Sequence, residues 1–444
     1  MDKTALTAQL VKTCLARGAD AAEVYFGSSR ELRIEVRKGD VETIQEAATS
    51  GVGFRVFVGG RLGFAHCNDT TEAALDQALS SAVAFARATT ADPSNTLPSD
   101  KGVTEVDGLY DASLAAVPTE QKIGLAKAAE ALAMKDARIT KSAGAWYAEE
   151  DSEIVLANSH GLSKRCRLSG CGFGVSVVAV KGDVQSPGDE SCVRCAYADL
   201  LPAADIAGRA ARNALDLLDP RPLKTRRGAV LVDPDAAGGI LGGLLAAVNG
   251  ESVLQGASFL GAMLGQPIGS SLLTLIDDGR RPKGLASRPF DGEGVPTERR
   301  VVVDRGVLKG FMYNTIVAKQ AGVKSTGNAA RDGYASLPGI GAHNFFMAAG
   351  RTPPAEIVEA TKAGLWLKNV TGYGINPVNG NFSGGASGLW IEDGKVAHPV
   401  RGLTIAGTAK EMLHGIDLVG SEIDLNRRFA APLFRIKEMQ IGGD

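Results

Sequence analysis

An internal repeat is the feature that most constrains how this sequence can fold. The hexapeptide GVGFRV at residues 51–56 returns as GCGFGV at residues 170–175, an offset of 119 positions. Each copy lies between the same kinds of segment: a helical pattern before it, strand-like runs around it and a second helical pattern after it. A fixed order of elements that recurs at a constant offset indicates a duplicated structural unit.

The remainder of the chain has a different character. After Arg227, short β-type runs alternate with tight turns such as Asp304-Arg305-Gly306, and only short helical segments interrupt them. Strands and helices do not alternate as they would in a doubly wound sheet. The predicted class is therefore α+β, with mixed, mostly antiparallel sheets and a duplicated helix–sheet–helix half followed by a β-rich half. The predicted domains are an N-terminal α/β domain (1–100), a central domain that repeats it (110–220) and a β-rich C-terminal domain (225–444).

Composition excludes several classes of protein. The net charge is −2, with 44% hydrophobic and 22% charged residues, which is typical of a globular protein and not of a nucleic-acid-binding one. The sequence has no apolar run of about 18 residues that could span a membrane. Its first residues lack the apolar core of a signal peptide. These features predict a cytoplasmic protein that binds neither membranes nor nucleic acid.

Four cysteines loosely resemble a four-thiolate zinc site, namely Cys166, Cys171, Cys192 and Cys195. However, Cys166 and Cys171 are five residues apart in a strand-like segment, and this spacing points the two side chains to opposite faces of a sheet. Small buried thiols in a reducing compartment are therefore the favoured interpretation.

A glycine-rich helix, GGILGGLLAAVNG at residues 238–250, follows a buried strand pattern. At 100° per residue its large side chains share one stripe: Ile240, Leu241, Leu244, Leu245 and Val248. The opposite stripe consists of Gly242, Gly243, Ala246, Ala247 and Gly250. We expect the large stripe to face a core and the small stripe to let another backbone approach closely.

Three glycine-rich segments could line a substrate cleft: residues 288–297, 325–331 and 379–388. The alternatives are a polar hairpin connection for the first segment and a tight turn with a bulge for the third. The candidate cleft residues are Asp291, Glu293, Thr297, Asn328, Arg331, Ser383, Gly384 and Gly385. None of the three segments contains a catalytic constellation by itself.

Taken together, several long stretches resemble the TldD/PmbA family, once called modulators of DNA gyrase. They are RPFDGEGVPTERR (288–300), GVLKGFMYN (306–314), STGNAARDGYASLP (325–338) and NGNFSGGASGLWIEDGKVAHPVRGLTIAG (379–407). The resemblance covers nearly the whole chain. It implies a subunit of a cytoplasmic metalloprotease that cuts unfolded or propeptide-like chains.

The family contains two kinds of subunit, and the resemblance implies the one without metal. TldD-type subunits carry His-Glu-x-x-x-His on the helix that opens the C-terminal domain and a cysteine near the C-terminus. Here the two histidine positions fall on Gly242 or Gly243 and on Ala247 or Val248, and the glutamate falls on Gly243 or Leu244. The segment 425–439, LNRRFAAPLFRIKEM, contains no cysteine. The chain therefore resembles the PmbA/TldE type, with no catalytic residue, metal ligand or cofactor of its own.

The implied partner is a TldD-type metalloprotease subunit that holds zinc or iron, and the implied substrate is a peptide or unfolded protein. Two other functions stay open. One is a stand-alone metallopeptidase that uses His343, His398 or His414 together with Asp291 or Glu293. The other is a regulatory binding protein that acts on gyrase or on a toxin–antitoxin system. A homodimer of the chain alone and the identity of the peptide are also open.

Overall fold

The computed structural model describes residues 2–100, 102, 105–372 and 374–443. About 23% of the chain is helix and 41% is strand, in several mostly antiparallel sheets. This confirms the predicted α+β class. In its described parts, none of the helices is long and apolar enough to cross a membrane.

The duplicated half repeats the order helix, three strands, helix. The first repeat comprises α1 (Lys3–Ala16), β1 (Ala21–Arg37), β2 (Asp40–Val58), β3 (Arg61–Cys67) and α2 (Glu72–Ala88). The second repeat comprises α3 (Thr119–Ala133), β4 (Ile139–Asn158), β5 (Ser163–Lys181), β6 (Val184–Arg194) and α4 (Ala203–Asp216). Short 3₁₀ turns at Leu114–Ala116 and Tyr197–Asp199 flank α3 and α4.

The six strands form one sheet in the order β3-β2-β1-β4-β5-β6. The order is palindromic, because β1 and β4 pair antiparallel in the middle and each repeat extends outward from them. Phe54 in β2 lies opposite Val24, and Phe173 in β5 lies opposite Tyr147. Both phenylalanines are fully buried, beneath α1 and α2 in one repeat and beneath α3 and α4 in the other.

Two local predictions for this half are wrong. The sequence of residues 144–169 predicts three strands with a turn at residues 158–161, but β4 runs unbroken for 20 residues, since its polar stretch stays paired with β1 and β5 on both sides. The spacing of Asp69 and Glu72 predicts a capping box, but the N-cap of α2 is Thr71. Asp69 instead accepts a hydrogen bond from the Thr71 N–H at 2.8 Å, which fixes the turn before the helix.

The cysteines behave as predicted from their spacing. Cys171 packs in the core under α3 and α4, whereas Cys166 packs on the other face of the sheet against Leu109 and Phe290. All six cysteines of the sequence are free thiols. The strand alternation of β5 therefore separates the two thiols that a shared zinc ion would need.

The C-terminal half is built on two larger sheets. One is a six-stranded sheet in the order β16-β15-β14-β7-β19-β17, in which β16 also pairs with β19, so that five of its strands close into a ring. Its strands are β7 (Arg226–Val232), β14 (Ala363–Thr371), β15 (Asn381–Glu392), β16 (Lys395–Thr408), β17 (Ile416–Val419) and β19 (Phe434–Gly442). Residues such as Trp390 and Ile405 of this sheet contribute to the main core of the half.

The second sheet has five strands, in the order β10-β9-β8-β13-β18. Its strands are β8 (Leu275–Asp278), β9 (Arg299–Asp304), β10 (Val307–Leu308), β13 (Asn344–Met347) and β18 (Phe429–Ala430), and a separate short pair joins β11 (Ala329–Ala330) to β12 (Gly339–Ile340). The helices of this half are α5 (Gly238–Ala247), α6 (Gly250–Leu254), α7 (Thr315–Gln320), α8 (Pro354–Glu359) and α9 (Ala409–His414).

Candidate functional site

Helix α5 follows β7 and buries its large stripe as the periodicity predicts. Ile240, Leu241, Leu244 and Val248 are all at most 5% exposed and belong to the main core, while Leu245, the fifth residue of the stripe, is partly buried against it. The only polar groups that α5 carries are those of its backbone. Its position is therefore maintained by apolar packing on the sheets around it.

Another stretch of backbone approaches the small stripe of α5 closely at Gly243, as predicted. A Cβ atom on Gly243 would lie 2.4 Å from the carbonyl oxygen of Ile375, and a Cβ on Gly374 would lie 2.3 Å from the carbonyl oxygen of Gly239. Gly374 also has a φ of +71°, which favours glycine. Gly242, by contrast, has no neighbouring atom within 4 Å of a Cβ built on it.

The covered stripe is where the resemblance places a metal site. His-Glu-x-x-x-His can begin at position 242 or 243, and both registers put a long side chain, glutamate or histidine, at position 243. The Ile375 carbonyl occupies that space. Of the second histidine positions, Ala247 and Val248 are both at most 1% exposed. Among the described residues, no group of three His, Cys, Asp or Glu side chains could hold a metal ion. The residues present here do not fit a metal.

Among the described residues, the histidines of the alternative metal hypothesis form no cluster of three potential ligands with its carboxylates. His343 is buried, and its Nε2 is 2.8 Å from the carbonyl oxygen of Gly327. His398 lies on β16 opposite Trp390, and His414 ends α9. Asp291 and Glu293 make other contacts.

Asp291 organises the loop in which it lies. Its Oδ1 accepts hydrogen bonds from the backbone N–H groups of Glu293 and Val295 at 2.9 and 3.0 Å, and its Oδ2 accepts one from Ala329 at 2.9 Å. Burial, together with the charge of Glu293, raises the pKa of Asp291 to about 7. The carboxyl group thus joins segment 288–297 to β11.

Glu293 belongs to a row of four buried charged side chains that contact one another in sequence. We call this row the ionic chain; its members are Glu293, Arg55, Glu23 and Arg331. Arg55 donates to Glu293 Oε1 at 2.7 Å and to Glu23 Oε2 at 2.8 Å, and Arg331 donates to the other oxygen of Glu23. All four side chains are at most 2% exposed. Glu23 and Arg55 come from β1 and β2, so the ionic chain fastens the first repeat to the C-terminal half.

The electrostatics of Glu293 follow from these partners. Burial works against its ionisation, but the charge of Arg55 and the hydrogen bond from the Thr315 N–H hold its pKa below the ordinary value. Glu293 is 0% exposed, and each of its oxygens accepts a hydrogen bond, so its carboxylate does not face solvent water. Glu293 acts as an anchor between the two halves.

Thr297 and Asn328 are also interior residues, each 1% exposed. Thr297 donates to the carbonyl oxygen of Arg288 at 2.5 Å. Asn328 donates to Asp277 Oδ2 at 2.7 Å and to the carbonyl oxygen of Gly341 at 3.1 Å. The structure thus brings segments 288–297 and 325–331 together, but as a buried polar junction and not as the wall of an open cleft.

Segment 379–388 follows the alternative of a tight turn with a bulge and not that of an open loop. A turn at residues 377–379 leads into β15 at Asn381, and the pairing of β15 with β16 is bulged between Ala386 and Gly388. Its glycines allow β14 to approach: a Cβ on Gly384 would lie 2.8 Å from the carbonyl oxygen of Thr371, and a Cβ on Gly385 would lie 2.5 Å from Thr371 Oγ1. Ser383 is exposed on the same strand. The described contacts do not unite this segment with 288–297 in one cleft.

Sequence reasoning missed Glu23 and Arg55. A signal for Arg55 was present, since it is the one charged residue within GVGFRV, a strand that the repeat marks as buried. A charge at such a position is buried only if it is paired. Its partners could not be found from the sequence, because Glu293 follows 238 residues later.

Three family descriptions match this chain in succession. The PmbA/TldA metallopeptidase domain 1 matches residues 22–86, the central domain matches residues 112–218 and the C-terminal domain matches residues 225–443. The first two matches fall on the two repeats of the palindromic sheet.

Similar proteins extend over the same length. The metalloprotease PmbA of Escherichia coli O157:H7 is 31% identical over 97% of this chain and 94% of that protein. The crystal structure of a modulator of DNA gyrase homologue from Bacteroides thetaiotaomicron superposes with a TM-score of 0.91 at 25% identity, covering 100% of both chains. TldE from Thermococcus kodakarensis gives a TM-score of 0.90 at 24% identity, covering 98% of this chain and 99% of its own.

Proposed function

Since this chain belongs to the PmbA/TldD metallopeptidase family, we propose that it is the metal-free, non-catalytic subunit of a two-subunit metalloprotease. Its partner would be a TldD-type subunit that holds zinc or iron. The substrates would be unfolded peptides or propeptides, and the compartment would be the cytoplasm, where six free thiols stay reduced.

One observation carries the non-catalytic assignment. The carbonyl oxygen of Ile375 lies 2.4 Å from where the Cβ of a side chain at position 243 would begin. A zinc peptidase site needs ligands in fixed geometry and a general base beside the bound water. Helix α5 offers neither, and the segment that packs on it fills the space that a ligand or base would use.

The metal of the partner would supply the activated water that attacks the peptide bond. This chain would contribute surface to the chamber that holds the peptide. Of the candidate cleft residues, Ser383 is the exposed one, and we assign it the role of a substrate contact. The buried residues Asp291, Glu293, Thr297 and Asn328 would act indirectly by fixing the loops around them.

The experiment is to purify the chain alone and together with the TldD-type subunit of the same cell, and to measure bound metal and peptide cleavage in each sample. We expect the chain alone to hold no stoichiometric metal and to cleave nothing, and the pair to cleave an unfolded peptide. One equivalent of metal that survives dialysis of the chain alone would contradict the proposal, as would cleavage without the partner. Those results would favour the stand-alone metallopeptidase.

A further inference from the structure

A polar cleft lies between the second repeat and the C-terminal half. Its volume is about 470 Å³, which is within the range of clefts that hold small ligands. Strand β6 and helix α4 of the second repeat form one wall. The other wall comes from the C-terminal half and includes Asp235 before α5, Lys368 in β14 and Arg427 before β18. Both halves of the chain therefore build this cleft.

The contacts between the second repeat and the C-terminal half are more exposed than the ionic chain. Arg427 lies 3.6 Å from Glu190 of β6, and the Arg427 side chain is 38% exposed. Arg401 is also exposed and donates a hydrogen bond to the carbonyl oxygen of Gln185 at 2.7 Å. The interface between the halves is thus closed at the first repeat and open at the cleft.

The lining of the cleft carries charges of both signs. Four arginine or lysine side chains and five carboxylates face it. Five carboxylates would repel a polyanion such as nucleic acid. Among the described residues, no group of three His, Cys, Asp or Glu side chains could hold a metal ion. A ligand that matches this lining has to carry a positive and a negative charge.

On the wall formed by the C-terminal half, the charged groups already have partners. Lys368 Nζ lies 2.7 Å from Asp233 Oδ2, and Arg427 forms an ion pair with Asp235. A side chain that is held in an ion pair within the protein is less available to a ligand. The groups that can bind one are therefore sought on the opposite wall.

Helix α4 presents two charged side chains to the cleft, Arg209 and Asp216, and neither takes part in a side-chain hydrogen bond or ion pair with another described residue. Their spacing of seven positions puts them on one face of the helix, about 10 Å apart along its axis. Asn213 lies between them on the same face, and its Nδ2 donates to the carbonyl oxygen of Asp189 at 3.0 Å. This face therefore carries a cation, an amide and an anion in a row of fixed length.

The surroundings of Asp216 favour a cation beside it. Asp216 is the last residue of α4, where the helix dipole places partial negative charge. Partial burial in the cleft raises the pKa of Asp216, and the charge of Lys368 offsets only part of this effect. A carboxylate that has lost water without gaining a partner is stabilised by an incoming ammonium group. Arg209, two turns away, offers a guanidinium group to a carboxylate.

We propose that this cleft binds short peptides with free termini, with the amino terminus at Asp216 and the carboxyl terminus at Arg209. An extended tripeptide spans about 10 Å at roughly 3.3 Å per residue, which matches the distance between the two side chains along α4. The amide of Asn213 lies where it can hydrogen-bond the peptide backbone. Peptides of this kind are products of proteolysis, but their binding goes beyond the proposed function, because it requires neither the partner subunit nor its metal.

Calorimetric titration of the full chain with trialanine tests the proposal. The peptide is used free, as its amide, as its N-acetyl form and blocked at both ends. We expect the free peptide to bind at least about tenfold more tightly than either singly blocked form, since each block removes one charge-assisted hydrogen bond. The doubly blocked form should bind most weakly. Equal affinities of the four forms would overturn the proposal, as would the absence of binding by the free peptide at millimolar concentration.

A fifth peptide separates recognition of termini from recognition of side chains. Acetyl-Lys-Ala-Ala-Asp-amide carries both charges on side chains and has no charged terminus. We expect it to bind at least about tenfold more weakly than free trialanine, because its charges are not held at the ends of a short extended backbone. Tighter binding of this peptide than of trialanine would overturn the assignment to free termini.

Two substitutions on α4 assign the ends of the peptide. Arg209→Gln should make trialanine and its amide bind equally while the preference for a free amino terminus persists. Asp216→Asn should remove the preference for a free amino terminus and keep the one for a free carboxyl terminus. The matched control Arg212→Gln changes an exposed arginine of the same helix that does not line the cleft and should leave all affinities unchanged. Retention of both preferences in both variants would contradict the placement on α4.

Discussion

At the scale of single residues, fully buried ion pairs lie where the two halves of the molecule meet. Arg55 has two carboxylate partners and less than 2% exposure. Removing one partner from such a group leaves an uncompensated charge in the interior, which costs far more than an exposed ion pair contributes. The ionic chain is therefore the most sensitive point of the interface.

The substitution Glu293→Gln tests this sensitivity. We expect it to lower the free energy of unfolding by about 3 kcal/mol, because Arg55 then faces a single carboxylate in a buried setting. The matched control is Glu298→Gln, which removes an exposed carboxylate that lies 2.8 Å from Arg300 and should leave stability unchanged. Urea denaturation monitored by fluorescence gives both values. Equal effects for the two variants would mean that the ionic chain does not fasten the halves.

The raised pKa of Asp291 predicts that the stability of the fold depends on pH. Burial first, and then the charge of Glu293, raise its pKa in the folded state to about 7, against an ordinary value of about 4. The folded state then binds the proton more tightly, so this group stabilises the fold at low pH, and the stabilisation is lost as pH rises from about 4 to about 7. Asp291→Asn cannot titrate. The free energy of unfolding of the natural chain minus that of Asp291→Asn should fall across this window. A constant difference would contradict the raised pKa.

At the scale of elements, the backbone segment that crosses α5 determines which side chains the helix can carry at each position. Two adjacent glycines have opposite surroundings: a Cβ on Gly243 would clash with the Ile375 carbonyl at 2.4 Å, whereas one on Gly242 would meet nothing within 4 Å. The same substitution, glycine to alanine, should therefore have opposite signs at the two positions.

We expect Gly243→Ala to destabilise the protein by about 2 kcal/mol, because backbone has to move to relieve the contact. Gly242→Ala should stabilise it by up to about 1 kcal/mol, since alanine is the better helix former and the position is open. Thermal unfolding of the two variants side by side measures the difference. Stabilisation by both would show that segment 374–375 moves freely away from the helix.

The elements that the sequence predicts well are those with a strong period. The stripe of α5 follows from side-chain spacing alone, and the repeat follows from a six-residue match, so α5 and the class of the fold were predictable. Strand β15 was not, because Gly384 and Gly385 look like loop residues until β14 is placed beside them. The ionic chain was not predictable either, since Glu23 and Arg55 precede Glu293 and Arg331 by more than 200 residues and meet them only in the folded chain.

At the scale of the whole molecule, the two repeats form one sheet but make different contacts with the C-terminal half. Since Val24 corresponds to Tyr147 and Phe54 to Phe173, the neighbouring pair Glu23 and Arg55 corresponds to Trp146 and Gly174. The first repeat binds the C-terminal half through the buried ionic chain, whereas the second repeat does so through more exposed ion pairs, Glu190 with Arg427 and Asp199 with Lys283. The second repeat has the same architecture with a tryptophan over a glycine at that position.

The palindromic order of the six strands bears on how this protein arose. A two-fold axis through the β1–β4 pair is the symmetry of a dimer of two identical three-stranded units. In such a dimer, the innermost strand of each unit pairs with the innermost strand of the other. Such a dimer is encoded by one gene, so its two subunits present identical surfaces. Any element that binds one of these surfaces then binds the other as well. When two copies are joined in tandem, each copy acquires its own mutations, and the two surfaces can become different. The C-terminal half uses this freedom: it meets the first repeat through the buried charges of Glu23 and Arg55 and the second repeat through apolar packing of Phe290 on Cys166, a difference that an identical dimer could not hold.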